Sequence, residues 1–254
     1  TRGRDGFHLP PREVWERTIS SRTRALILCN PNNPTGTVYT RDELEMVAEF
    51  CRDHGLYLIS DEVYREFVYD GREAVSALQL SDAENFVIVV DSLSKRYSAC
   101  GIRLGSLVTR SAEVYDAAVR MAQGRLSPPG LAQFIALGAD DLGEEYTEKV
   151  VAEYQRRRDV LYQGLTSIPG VFLEKPEGAF YCVARLPVDD AERFAEWLLS
   201  DFSDEGETVM VAPAEGFYAS PLGRTEVRIA YVLKEDALRR AVELLRLALE
   251  RYQR

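Results

Sequence analysis

Short apolar runs alternate with segments of helical periodicity from about residue 24 onward. The first run, at 25–28, predicts a buried strand, and the turn-forming segment N-P-N-N-P-T-G follows it at 30–36. Thr40 and Glu43 then form a capping box, apolar residues recur at helical spacing, and Gly55 closes the helix. This alternation is typical of βαβ units in a mainly parallel sheet.

The same pattern predicts the remaining elements and a division into domains. Further strands are expected at 56–60, 86–90 and 105–109, and helices at 111–123, 131–142 and 144–166. Beyond residue 170 we expect strands near 171–174, 179–185, 208–212 and 226–232, and helices near 190–200 and 235–252. The predicted fold class is α/β: a large domain with a mainly parallel sheet over 1–143, an interdomain helix over 144–166, and a smaller C-terminal α+β domain over 167–254.

Composition and charge exclude several classes of protein. The chain has 254 residues, 46% of them hydrophobic, which is enough for one large core or for two domains. Its formal net charge of −10 argues against binding to nucleic acid or to an anionic membrane. No apolar run is long enough to span a membrane and no signal peptide is evident, so we expect a cytoplasmic protein. With two histidines and four widely spaced cysteines, no metal site is expected.

A polar or charged residue follows each of three predicted strands. Asn33 comes shortly after the first strand, Asp61 after the second and Lys95 after the third. Because ligands of open parallel sheets bind outside the carboxyl ends of the strands, we expect these three side chains to converge on one crevice. A carboxylate, an amide and a lysine, with hydroxyls and an arginine nearby, suit a Schiff-base cofactor that has a pyridinium nitrogen and a phosphate.

Four sequence segments and a later R-I-A carry a family resemblance. The segments are N-P-N-N-P-T-G at 30–36, S-D-E-V-Y at 60–64, S-L-S-K at 92–95 and G-I-R-L-G at 101–105. In content, order and spacing the chain resembles the class I/II aminotransferases of fold type I, and among them the aspartate aminotransferases. The resemblance implies the cofactor pyridoxal 5'-phosphate (PLP) and the transfer of an amino group between an amino acid and a 2-oxo acid by a ping-pong Schiff-base mechanism.

The resemblance also implies catalytic roles for three residues. Lys95 would form the Schiff base with the cofactor and then carry the proton during transfer. Asp61 would pair with the pyridine nitrogen and keep it protonated, although an acid in this position is also a common helix cap. Tyr64, together with Asn33, would donate a hydrogen bond to the phenolic oxygen of the cofactor. Without the resemblance, Tyr64 is a core aromatic residue and Asn33 a turn residue.

Further residues are assigned to the phosphate and to the substrate by the same resemblance. Arg103, Ser92 and Ser94 would hold the phosphate by charge-assisted hydrogen bonds, and Ser94 alone is equally a turn residue. Arg228, in an otherwise apolar strand, would bind the α-carboxylate of the substrate, with Asn33 beside it. No metal is assigned a role.

The chain departs from the family pattern at its start. Family members carry upstream a segment that contacts the phosphate, an aromatic residue that stacks on the ring and an arm that closes over the substrate, whereas this sequence begins at Thr1. We therefore expect a large domain that is incomplete at its N-terminus. The resemblance implies a homodimer. Two alternatives stay open, a PLP-dependent lyase and a non-catalytic PLP-binding sensor domain of a transcription regulator, and the identity of the amino acid substrate is undecided.

Overall fold

The structure is a computed structural model that describes residues 5–139, 141–220 and 222–252. Thr1, on which the expected incompleteness of the large domain rests, lies outside these residues. The chain divides into two compact units. Of the described residues, the first unit contains 8–32 and 38–149, and the second contains 5–7, 33–37 and 150–252.

The first unit is built on a mixed sheet with the strand order β1-β2-β3-β4. The strands are β1 (Ala25–Cys29), β2 (Tyr57–Asp61), β3 (Val87–Ser92) and β4 (Gly105–Thr109). The first three strands run parallel, and β4 is antiparallel to β3. The helices are α1 (Arg12–Glu16), α2 (Arg41–Asp53), α3 (Leu93–Arg96), α4 (Ala112–Arg125) and α5 (Gly130–Ala139). The prediction of an α/β fold with a mainly parallel sheet is confirmed.

Local signals in the sequence determine both ends of α2. The Thr40 hydroxyl accepts a hydrogen bond from the Glu43 N–H at 3.2 Å, and the Glu43 carboxylate accepts one from the Thr40 N–H at 2.8 Å. This reciprocal pair is the predicted capping box. At the other end Gly55 adopts a φ of +62°, a left-handed conformation that glycine adopts without steric cost.

The sheet buries one face against α2 more completely than the other. Leu28, Leu58, Val87 and Val89 point toward the core that α2 completes. Ile27 points to the opposite face and is 72% exposed, so the expectation that 25–28 form a wholly buried strand is wrong at this position. The physical reason is the alternation along the strand: α2 covers the face of Leu28, and Ile27 points to the other face.

The second unit contains an antiparallel sheet with the strand order β5-β7-β6. Its strands are β5 (Tyr181–Arg185), β6 (Ala212–Pro213) and β7 (Glu226–Ala230), and its helices are α6 (Glu144–Thr166), α7 (Ala191–Ser200) and α8 (Glu235–Arg251). Helix α6 begins in the residues of the first unit and ends in those of the second. Among the described residues no helix is both long and apolar enough to cross a membrane.

Two predicted strands of the second unit are wrong in extent. The strand expected at 171–174 is a single bridge between Phe172 and Arg185, and the chain soon reaches Pro176, which has no N–H to extend a ladder. The strand expected at 208–212 is reduced to the two residues of β6. The hydroxyl of Thr208 donates to the carbonyl of Leu198 at the end of α7, which ties this segment to the helix instead of to a strand.

We expect Glu43→Gln to destabilise the protein in a pH-dependent manner. Burial alone would raise the pKa of Glu43, but hydrogen bonds from the N–H groups of Thr40 and Leu9 outweigh it and lower the pKa below its ordinary value. A carboxyl group whose pKa is lowered by folding contributes stability above its unfolded pKa, and this stability is lost as the pH falls through the folded pKa. Urea denaturation at pH 7 should therefore show a loss of about 1 kcal/mol.

The matched control is Glu45→Gln, which removes an exposed carboxylate from the same helix. Its effect at pH 7 should stay within about 0.5 kcal/mol, because exposed ion pairs contribute little. The difference between the wild type and Glu43→Gln should shrink when the titration is repeated down to pH 3. A stability difference between the wild type and Glu43→Gln that stays constant from pH 7 to pH 3 would contradict the lowered pKa of Glu43.

Candidate active site

The carboxyl ends of β2 and β3 bring two of the predicted site segments together. Asp61 is the last residue of β2 and is paired with Val90 of β3. Ser92 is the last residue of β3, and Lys95 follows on α3. Since hydrogen-bonded strands lie about 4.8 Å apart, the carboxylate at one strand end and the lysine helix at the next belong to the same edge of the sheet.

Helix α3 presents Lys95 and begins at a serine cap. The Ser92 hydroxyl accepts a hydrogen bond from the Ser94 N–H at 3.2 Å, which fixes the first turn. The two serine hydroxyls lie 2.8 Å apart, and Ser92 Oγ is 3.1 Å from the carbonyl oxygen of Leu104. Lys95 itself is half-buried. The structure thus places Ser92, Ser94 and Lys95 within one short segment.

Asp61 and Tyr64 each have the structural role that the sequence analysis gave as the alternative to cofactor binding, a cap for Asp61 and a core aromatic residue for Tyr64. Asp61 Oδ1 accepts a hydrogen bond from the Val63 N–H at 3.2 Å, which is the capping contact. A carboxylate has two oxygens and several acceptor positions, so this bond is compatible with a second contact to a cofactor. Tyr64 is buried, with 3% of its surface exposed. Their cofactor roles stay predictions.

Arg103 lies between α3 and β4 in a left-handed conformation, with a φ of +55°. Its exposed guanidinium donates to the carbonyl of Cys100 at 3.0 Å. A cavity of about 930 Å³ in the first unit is bordered by Ser92 and Arg103, whereas Lys95 and Asp61 do not line it. The cavity therefore reaches the predicted phosphate-binding residues and excludes the predicted catalytic lysine.

The second unit brings together the two residues that were predicted to bind substrate. Arg228 Nη1 donates a hydrogen bond to Asn33 Oδ1 at 3.3 Å, although the two residues are 195 positions apart in the sequence. The guanidinium carbon lies 4.9 Å from the ring centre of Tyr181 and 5.2 Å from that of Phe217. Two aromatic rings and one amide oxygen thus orient the Arg228 side chain.

Tyr181 was not identified from the sequence. In the antiparallel pairing of β5 with β7, Arg228 is opposite Val183, and Tyr181 is two residues from Val183 on the same face of the sheet. The alternation within β5 carried this signal, but it becomes usable only when the register with β7 is known.

The loop that carries Asn33 is held by backbone bonds within the second unit. The carbonyl of Gly36 accepts hydrogen bonds from the N–H groups of Glu177 and Gly178, both at 2.8 Å. Arg158, which is 1% exposed, donates from Nη1 to the carbonyl of Pro176 at 2.6 Å. These bonds fix the segment against which Gly36 packs, and with it the position of the Asn33 loop.

The donor set of the first unit fits the chemical groups of PLP. The amine of Lys95 suits an aldehyde, the Asp61 carboxylate suits a protonated ring nitrogen, and the guanidinium of Arg103 with nearby hydroxyls suits a phosphate dianion. The paired Arg228 and Asn33 offer cationic and amide groups to a carboxylate. None of these groups alone would indicate PLP; the indication comes from their combination.

We expect Gly36→Ala to destabilise the protein more than Gly55→Ala. Both glycines have a positive φ, +76° and +62° respectively, so both substitutions introduce backbone strain. A Cβ at Gly36 would also lie 2.6 Å from the carbonyl oxygen of Tyr181 and 2.7 Å from Pro176 Cβ, whereas a Cβ at Gly55 would face open space in the part of the chain that the structure describes. Urea denaturation should show roughly 1–3 kcal/mol of additional loss, and equal losses would contradict the close packing.

Comparison with known proteins agrees with the predicted resemblance. A model of the family "Aminotransferase class I and II" matches residues 5–245. The probable aspartate/prephenate aminotransferase of Aquifex aeolicus is 34% identical over 253 residues, which cover 96% of this chain and 62% of that protein. The chain therefore spans about three fifths of the length of this relative.

Solved structures give the same result. The aspartate aminotransferase from Thermus thermophilus with maleate superposes with a TM-score of 0.86 at 33% identity, covering 98% of this chain and 62% of that chain. The alanine aminotransferase from Pyrococcus furiosus superposes with a TM-score of 0.87 at 28% identity, covering 99% of this chain and 64% of that chain. By its sequence and its fold, this chain belongs to the class I and II aminotransferase family.

Proposed function

We propose that this chain provides the cofactor-binding and substrate-binding groups of a PLP-dependent aminotransferase. The enzyme would transfer an amino group between an amino acid and a 2-oxo acid in a ping-pong sequence. The observation that carries the proposal is the arrangement at the sheet edge: Lys95 on α3 directly after β3, and Asp61 at the end of the adjacent parallel strand β2. The family of the chain supports the same conclusion.

Lys95 and Asp61 would perform the central chemistry. When bound, PLP supplies an electrophilic aldehyde and an electron-accepting ring. The Lys95 amine is the nucleophile toward that aldehyde, and its Nζ would afterwards accept and return the proton of the substrate Cα. The Asp61 carboxylate would hold a proton on the ring nitrogen, because an anion beside that nitrogen favours its cationic form.

The remaining residues of the proposed cofactor site would orient the ring and its phosphate. Ser92, Ser94 and Arg103 would bind the phosphate, since hydroxyls and a guanidinium are strong donors to a dianion. Tyr64 and Asn33 would donate to the phenolic oxygen and stabilise its negative charge.

Arg228 and Asn33 would bind the α-carboxylate that every amino acid and 2-oxo acid shares. The fork of a guanidinium matches a carboxylate in two parallel hydrogen bonds. The relatives are named for aspartate, prephenate or alanine, and one solved relative is described with maleate, a dicarboxylate. We therefore propose aspartate as the first substrate to test.

A homodimer and a cytoplasmic location, both predicted from the sequence, are part of the proposal. Large apolar side chains on α4 and α5 support an interface on the first unit, because Met121, Leu131 and Phe134 are each more than 70% exposed. Exposed apolar patches of this kind mark association surfaces in soluble proteins.

We expect borohydride reduction after incubation with PLP to label Lys95. Peptide mass mapping should find the phosphopyridoxyl group on Lys95 in the wild type and in the control Lys175→Ala, and should find it abolished in Lys95→Ala. Addition of aspartate before reduction should decrease the label, because the amino group passes to the cofactor. If Lys95 is labelled but the label does not respond to any amino acid, a sensor domain is favoured. If decarboxylation or elimination products form, a lyase is favoured. Labelling of other lysines alone would contradict the proposal.

We expect Arg228→Lys to raise the KM for aspartate more than it lowers kcat. A lysine retains the positive charge but loses the two-pronged geometry, so binding of the carboxylate should weaken on the order of 10- to 100-fold. The matched control is Arg224→Lys in the same unit, whose side chain is 61% exposed and faces Asp190. Steady-state kinetics of both variants test this, and an unchanged KM for Arg228→Lys would remove Arg228 from the substrate site.

A further inference from the structure

The residue after the proposed catalytic lysine joins two carboxylates from different segments. Arg96 Nε lies 2.9 Å from Glu66 Oε1, and Arg96 Nη2 lies 2.8 Å from Asp91 Oδ2. The three side chains are 15–20% exposed, so this ion pair is largely removed from solvent. Asp91 belongs to β3, whereas Glu66 follows β2 by five residues.

A second arginine extends this cluster toward β2. Arg65 Nη2 lies 3.4 Å from Glu66 Oε1 and 3.8 Å from Asp91 Oδ2, and its Nη1 lies 3.6 Å from Glu62 Oε2. Glu62 is itself 1% exposed and accepts from the Ala77 N–H at 2.8 Å. The ion cluster of Glu62, Arg65, Glu66, Asp91 and Arg96 therefore connects the segments that follow the two strands.

Helix α3 needs such an anchor. It has four residues, and an isolated helix of this length is unstable because nucleation is costly. The Ser92 cap fixes its beginning, and Arg96 is its last residue. Lys95 lies between these two attachments, and its own carbonyl accepts a hydrogen bond from the Ser98 N–H at 3.2 Å. The contacts of Arg96 therefore act together with backbone bonds to fix the lysine backbone.

The same two carboxylates stabilise the positive charge of the Arg96 guanidinium. Burial alone would lower the pKa of Arg96, but Glu66 and Asp91 outweigh it and raise the pKa above its ordinary value. Removal of the guanidinium would leave two half-buried carboxylates near each other with less compensation. The pairing is therefore more consequential than an exposed surface ion pair.

We propose that Arg96 is a positioning residue for Lys95: it ties α3 to Glu66 and Asp91 and thereby fixes the lysine relative to Asp61 at the end of β2. This inference rests on the proposed function, because it gives Lys95 and Asp61 their roles toward PLP. Arg96 acts through Lys95 and requires no contact of its own with the cofactor.

The test compares Arg96→Met with Arg240→Met. Arg240 is the control because it also contacts carboxylates, Glu207 at 2.7 Å, Asp204 at 3.1 Å and Glu205 at 3.8 Å, but lies in the second unit. The PLP concentration for half-maximal borohydride labelling of Lys95 should rise roughly tenfold or more in Arg96→Met and stay within twofold of the wild type in Arg240→Met. Both thermal midpoints are measured, so that a general loss of stability is recognised.

Two further variants separate positioning from stability. Arg96→Lys should restore part of the labelling affinity, because one ammonium can replace one of the two contacts. In a double-mutant cycle, Glu66→Gln should weaken labelling in the wild-type background and add little in the Arg96→Met background. Fully additive effects, or no recovery with lysine, would overturn the proposal.

Hydrogen exchange without PLP provides a readout that does not depend on the proposed function. The Tyr97 N–H is bonded to the carbonyl of Leu93, and a peptide covering 93–97 should exchange faster in Arg96→Met than in the wild type or Arg240→Met. Unchanged exchange together with unchanged labelling would overturn the positioning role. Absence of Lys95 labelling in the wild type itself would instead overturn the proposed function, and the exchange result would still decide whether Arg96 fixes α3.

Discussion

The register between β2 and β3, in which Asp61 is paired with Val90, places the carboxyl ends of both strands at one edge of the sheet. This register is fixed by burial, because Leu58 and Val87 point into the same core and a slip of one residue would turn one strand's apolar side chains to the opposite face. The proposed chemistry of the first unit depends on it. The segments that carry Asp61 and Lys95 thus reach the same edge of the sheet through an apolar constraint that involves neither side chain.

In both units, polar contacts hold short segments in place. In the first unit the serine cap and the ion cluster hold α3. In the second, the backbone bonds to Gly36 hold the loop of Asn33, and two aromatic rings flank Arg228. The positions of Lys95 and Asn33, to which we assign roles in the proposed function, depend on these contacts, because loops and single helical turns have little stability of their own.

The sequence was sufficient where the signal is local. The capping box, the glycine that ends α2 and the order of strands and helices follow from neighbouring residues, and four motifs in order indicated the family. It failed where the outcome depends on tertiary partners. The exposure of Ile27 depends on which face of β1 is covered by α2, and 171–174 has no pairing beyond one bridge among the described residues. The contacts of Arg96 with Asp91 and Glu66 also have no local signature, since arginines and acids are abundant in this chain.

A crystal structure of this chain soaked with PLP would show whether Lys95, Asp61 and Arg103 bind the cofactor as proposed. We expect continuous density from Lys95 Nζ to the cofactor, the ring nitrogen within hydrogen-bond distance of the Asp61 carboxylate, and the phosphate beside Ser92 and Arg103. Density for PLP at another lysine, or on Lys95 with the ring nitrogen turned away from Asp61, would contradict this expectation.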